Sequence, residues 1–186
     1  MIKTGTALAC ALITVGACTG SSEQVDLTAL PSAYSAPFIC DHVPKIAVER
    51  MTGITDPLTT GAVELASGDP LRPATGACAA YQRTGERSTV LRITQDVGGS
   101  RGHVESYLRE GMGKQLPEIV PGGIGYYASY PNEEAHVAAM LVKGKARLAI
   151  ELVKGVKGRD NVADVVALMK LIAPKLIDTA DTDEDG

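Results

Sequence analysis

Residues 135–153 read AHVAAMLVKGKARLAIELV, and this stretch decides the fold. Lys143-Gly144-Lys145 lies between two apolar-rich runs and is a tight hairpin signal. After it, Leu148, Ile150 and Leu152 alternate with Arg147, Ala149 and Glu151. A period of two puts the first set on one face of a strand and the second on the other. One face is therefore buried and the other partly wet, as in an antiparallel sheet covered on one side.

Working outward, residues 123–130 form a third strand ahead of this hairpin. Residues 77–83 and 88–97 form two more, joined by Thr84-Gly85-Glu86-Arg87. Leu91, Ile93 and Val97 share one side there, and Arg92 and Thr94 the other. Between the two groups, Gly98-Gly99-Ser100-Arg101-Gly102 breaks the pattern. A helix follows it, with Val104, Tyr107, Leu108 and Met112 on one face. Residues 55–75 contain Pro57, Pro70 and Pro73 and read as loop, with one short strand near residues 62–65.

Two further helices complete the set. The first follows Cys40, with Asp41 as cap, Pro44 in the first turn, Val43, Ile46, Ala47 and Met51 as the apolar face, and Gly53 as terminator. The last is capped by Asp160 or Asn161. It buries Val162, Val165, Val166, Met169, Ile172 and Ala173, and Pro174 marks its end. The order α-β-β-α-β-β-β-α predicts an α+β domain: an antiparallel sheet of about five strands packed by three helices.

The ends of the chain differ from this core. Met1-Ile2-Lys3 is a short basic start, and residues 4–15 are apolar or small. That run is too short to span a bilayer, which takes about 20 apolar residues, and suits a signal peptide. Val15-Gly16-Ala17-Cys18 then has the form of a bacterial lipobox. Residues 1–17 are expected to be a cleaved signal peptide and Cys18 the lipid-bearing N-terminus, with acyl chains such as palmitate. More than one acyl chain is needed to hold a protein firmly on a membrane. Residues 18–37 read as a flexible tether, residues 38–176 as the single domain, and residues 177–186 as an acidic disordered tail.

Cys10 falls in the segment expected to be removed. Cys40 and Cys78 remain, and an oxidising compartment favours pairing them. Closing a loop of about 39 residues would stabilise the fold by roughly 4 kcal/mol on the chain-entropy model. Two free buried thiols are the alternative. A metal site on this pair lacks a third ligand at suitable spacing.

The chain of 186 residues is 45% hydrophobic but only 4% aromatic, with no Trp and with Phe38 as its one Phe. A net charge of -4 gives no basic face for nucleic acid, so no nucleic-acid partner is expected. His42, His103 and His136 have no second His or Cys at metal spacing and read as exposed or locally bonded. Glu133 and Glu134 are adjacent, so on a strand they face opposite ways. The Gly98–Gly102 loop lies where phosphates bind in nucleotide folds, but it fits no phosphate-loop spacing and reads as a strand-to-helix connection. Pro121-Gly122-Gly123-Ile124-Gly125 reads as a turn entering a strand. Lys143, Lys145, Arg147, Lys154, Lys157 and Arg159 concentrate basic charge around the last hairpin. They read as a solvated rim or as a contact for anionic headgroups or an anionic wall polymer. No catalytic residue, metal ligand or cofactor is expected.

The lipobox, then Phe38-Ile39-Cys40-Asp41, a helix to Thr52-Gly53, and Gly76-Ala77-Cys78-Ala79-Ala80-Tyr81 together resemble lipoproteins of actinobacterial cell envelopes that carry a domain of unknown function. The element order is also similar to that of extracellular sensor domains of actinobacterial receptor kinases. The resemblance implies an envelope role without a defined chemistry. The expectation is a non-enzymatic binding module, lipid-anchored on the outer face of the cell membrane, with a lipid, glycan or envelope protein as partner. An envelope hydrolase of unrecognised type and a structural or assembly lipoprotein are the alternatives.

Overall fold

The computed structural model describes residues 25–67, 74–130 and 136–177. The expected signal peptide, Cys18, Glu133, Glu134 and residues 178–186 of the expected acidic tail lie outside them. Twelve elements follow in order: β1 (Phe38–Ile39), β2 (Val43–Pro44), α1 (Lys45–Thr52), β3 (Leu58–Ala62), β4 (Gly76–Tyr81), β5 (Thr89–Val97), α2 (Arg101–Arg109), β6 (Lys114–Gln115), β7 (Ile124–Ser129), β8 (Val137–Lys143), β9 (Ala146–Leu152) and α3 (Asn161–Leu176). The fold is α+β, with three helices and a large antiparallel sheet.

That sheet has seven strands in the order β3-β4-β5-β9-β8-β7-β6, and β1 and β2 form a separate two-stranded hairpin. Two meanders, β3-β4-β5 and β6-β7-β8-β9, meet where β5 pairs with β9. The sheet thus exceeds the expected five strands by its two edges. β6 is two exposed residues with no alternation to read. β3 is a short, largely exposed run, Leu58-Thr59-Thr60-Gly61-Ala62, lying before the place expected for it.

The inner face of the sheet follows the period-two pattern. Cross-strand layers run Leu91–Leu152–Val137 and Ile93–Ile150–Ala139 through β5, β9 and β8. All six side chains are buried. α3 lays Val165, Leu168, Met169, Ile172 and Leu176 over them, and α1 adds Ala47, Val48 and Met51. Each such large aliphatic residue stabilises by about 1.5–3 kcal/mol relative to leaving it exposed.

Several local expectations change. Asp41 does not cap α1: Cys40 and Asp41 take positive φ in the β1–β2 turn, a conformation Asp tolerates better than most residues. Pro44 holds the cap position, and Gly53 ends the helix in left-handed geometry as expected. Starting the helix at Lys45 turns Val48 inward and leaves Ile46 37% exposed. Val97 and Met112, expected on apolar faces, are exposed. Pro174 does not end α3. Leu176 and Ile177 are buried, and Ile177 N–H donates to the Ala173 carbonyl, so packing carries the helix past a missing N–H.

The packed unit also begins earlier than the Phe38 boundary. Residues 25–31 cross the helix layer as a strap, with Leu30 buried. Arg50 of α1 donates to the Ala29 carbonyl at 2.7 Å. The Tyr34 hydroxyl donates to the His42 carbonyl, and its ring lies against Phe38.

The Cys40–Cys78 bridge joins the β1–β2 turn to β4, with Cα atoms 5.8 Å apart. Val63 N–H donates to the Cys40 carbonyl beside it. The β1–β2 turn is thereby tied both to β4 and to Val63, just after β3.

Candidate functional site

The outer face of the sheet carries the polar half of the same alternation. β5 turns Arg92, Thr94 and Asp96 outward, and β9 turns Arg147, Ala149 and Glu151. Register sets them in opposed pairs: Arg92 with Glu151, Thr94 with Ala149, and Asp96 with Arg147. The two charged pairs close. Arg92 Nη1 donates to Glu151 Oε2 at 3.0 Å, and Arg147 Nε to Asp96 Oδ1 at 2.7 Å. Between them the register sets the row Ala77–Thr94–Ala149–Met140–Tyr126, and the Arg92–Glu151 row continues into Ala79 on one side and into Ala138 and Ala128 on the other.

α2 covers only one end of this face. Gly98 and Gly99 bring the chain against the β8–β9 turn, where a Cβ at Gly99 would lie 2.8 Å from the Ala146 carbonyl oxygen and from Val142 Cγ1. Both glycine amides donate to the Lys145 carbonyl. Ser100 caps the helix through its Oγ, which accepts from His103 N–H. The loop is thus a strand-to-helix connection whose first amides are already bonded. α2 then packs Val104, Tyr107 and Leu108 on Ile124, Tyr126, Met140 and Val142.

The helix ends its contact in aromatic rings. Tyr107 stacks on Tyr126 with centroids 4.2 Å apart. Tyr130, at the end of β7, stacks on His136 at 4.5 Å. His136 Nε2 lies 3.1 Å from Glu151 Oε1, so Glu151 joins His136 to Arg92. His136 is 12% exposed and Arg92 54%. Burial, then the charge and hydrogen bond of Tyr107, raise the Tyr130 phenol above its usual pKa. Burial and Tyr107 do the same to Tyr126, against the opposing pull of Arg147. These hydroxyls stay neutral at physiological pH and can donate hydrogen bonds. The result is a surface with ring faces at one side, small side chains on β4, β5 and β9, and a partly exposed Arg–Glu–His row.

The other sequence candidates lie apart from it. His42 sits in the β1–β2 hairpin, and His103 is exposed on α2. Among the described residues no three His, Cys, Asp or Glu converge as a metal site. The basic rim divides. Lys143, Lys145 and Arg147 lie at one end of β9, and Lys154, Lys157 and Arg159 beyond the other, roughly 20 Å away for a strand of this length. Arg147 is committed to Asp96, and Arg159 is committed to Asp164 through two 2.7 Å bonds.

His136 reads in the sequence as exposed or locally bonded, and the structure has it bonded to Glu151. That partner and the three tyrosines were not legible, although the alternation of β5 and β9 already turned Arg92, Arg147 and Glu151 to one side. Among the described residues no helix is long and apolar enough to cross a membrane. Compared with known protein families, with characterised proteins and with solved structures, the chain has no match.

Proposed function

We propose that this chain is an exported lipoprotein, anchored through Cys18 on the outer face of the cell membrane, whose domain is a non-enzymatic binding module of the envelope. One observation carries the binding role: the outer sheet face, which among the described residues α2 covers only on the β7–β8 side, and where Tyr130, His136, Glu151 and Arg92 lie beside the small side chains of Ala138 and Ala79. Neutral phenols, an exposed guanidinium and ring faces beside small side chains suit a glycan, a lipid headgroup or an extended peptide. The lipobox and the resemblance to actinobacterial envelope lipoproteins support the location.

A hydrolase reading would draw on the same place, with the His136–Glu151 pair as its acid–base element. A structural or assembly role would use the face as a protein contact.

The test is site-specific photocrosslinking in the producing cell. A photoreactive residue replacing Thr94 is expected to capture a ligand or partner, whereas one replacing Lys170, on the exposed side of α3, is not. Equal labelling from both sites would remove the outer face as the binding surface. Turnover of a captured ligand by purified protein, abolished in His136→Ala, would replace the binding module with the hydrolase.

A further inference from the structure

We infer that the strap of residues 25–31 turns the helix layer toward the bilayer and leaves the outer sheet face pointing away from it. This rests on the lipid-anchor reading.

The strap is fastened at several points. Arg159 is 4% exposed, held by Asp164, and donates to the Thr28 carbonyl at 3.1 Å and also to the Asp26 carbonyl. Arg50 holds the Ala29 carbonyl, and Leu30 enters the core. The strap therefore lies over α1 and the start of α3, on the side of the sheet opposite Arg92 and Ala77.

Length does the rest. A tether running from Cys18 to Phe38 would let the domain turn freely, reaching up to roughly 70 Å when extended. With the strap fastened, only the seven-residue step from Cys18 to Val25 remains, a reach of at most roughly 25 Å. A domain of about 150 residues has a radius of gyration of about 15 Å and is roughly 40 Å across. The anchor cannot reach around it, so the side where the strap begins stays nearest the lipid.

The surface there fits a bilayer. Val25 is 38% exposed and lies beside exposed Ile46 along an open groove of about 410 Å³, and Leu27, 67% exposed, lines a second groove of about 280 Å³ beside Arg159. Lys154 and Lys157 are exposed in the loop that leads to Arg159. The carboxylates lining these grooves make local bonds: Asp26 accepts from Thr28 N–H at 2.8 Å, Asp160 from Ala163 N–H at 2.9 Å, Glu49 from Asp56 N–H at 2.7 Å, and Asp164 pairs with Arg159. Exposed aliphatic side chains with a lysine rim beside an acyl anchor match an interfacial membrane contact.

The experiment uses the full lipidated chain in phosphatidylcholine vesicles containing a minority of phosphatidylglycerol. An environment-sensitive fluorophore is attached at Leu27→Cys or at Ala77→Cys on the outer face, with the Cys40–Cys78 bridge left oxidised. Lipids spin-labelled near the headgroup are expected to quench the probe at 27 severalfold more than the probe at 77. Flotation with the vesicles and equal or reversed quenching would overturn the orientation while leaving the anchor standing. Failure to float would remove the anchor, and the orientation with it. Absence of quenching of the labelled chain, together with disulfide-linked dimers of the unlabelled Leu27→Cys chain on the same vesicles, would assign the strap side to a second copy of this chain.

Discussion

The two faces of one sheet have been built to different rules. On the inner face, β5 and β9 present Leu91, Ile93, Leu148, Ile150 and Leu152, all buried beneath α1 and α3. On the outer face the intervening residues are Arg92, Thr94, Arg147, Ala149 and Glu151, and α2 reaches only the β7–β8 side. The same strands thus carry a close-packed core and, a residue away, an outer face of charged pairs and small side chains. Stability lives on the first face, so the second is free to be specified by what it touches.

The largest expected effect breaks that contrast at its centre. Ile150→Ala empties a fully buried site and is expected to cost about 2–5 kcal/mol in urea unfolding. Its neighbour Ala149→Ser, on the outer face, is expected to stay within about 0.5 kcal/mol. Similar costs for the two would mean that the faces are not energetically distinct.

Next comes the bridge. Replacing Cys40 and Cys78 together by Ala is expected to destabilise by about 2–5 kcal/mol. Membrane flotation is expected to be unchanged, because the proposed anchor is Cys18. Release from the membrane on removing the bridge would contradict this division of roles.

Gln95 is the polar exception on the inner face. Its amide donates to the Glu64 and Leu176 carbonyls, and its oxygen accepts from Glu64 N–H. Gln95→Leu leaves those buried backbone groups unpaired and is expected to cost about 1–3 kcal/mol. Hydrogen exchange should then quicken first at residues 63–66 and at the end of α3. Uniform loss of protection would show that Gln95 does not tie those two segments locally.

Much of the inner face was legible because its signals are periodic. The alternation of Leu148, Ile150 and Leu152, the Gly53 terminator, the Asp160 cap and the Cys40–Cys78 pairing need only local spacing or a count of cysteines. The misreadings fall where packing overrides local preference. Leu176 and Ile177 carry α3 past Pro174, and Val48 replaces Ile46 on the buried side of α1. The outer face was legible only in direction. Arg92 and Glu151 are separated by 59 residues, and only the β5–β9 register sets them opposite each other. Tyr107 meets Tyr126 because α2 crosses the sheet there, which no spacing in the sequence encodes.

Smaller effects belong to the outer face. Arg92→Ala breaks an ion pair that is largely solvent-exposed and is expected to cost about 0–1 kcal/mol. A cost near that of Ile150→Ala would make this row structural. Tyr126 and Tyr130 should ionise later than an ordinary phenol of pKa 10.0 in an absorbance titration. The folded state holds those protons more tightly than the unfolded chain. Their contribution to stability is therefore complete below that value and is lost as pH rises through the raised folded pKa. Ionisation of every tyrosine within the ordinary range would deny the burial argued for the α2 end.

The most direct measurement pairs stability with capture in one variant, Arg92→Ala with Tyr130→Ala and Glu151→Ala. Carried with the photoreactive residue at position 94, it is expected to melt close to the native protein and to lose the crosslinked species in the cell envelope. Undiminished crosslinking by a folded variant would show that the outer face does not specify the ligand. Global unfolding would show that this face holds the fold together, contrary to the separation of roles between the two sides of the sheet.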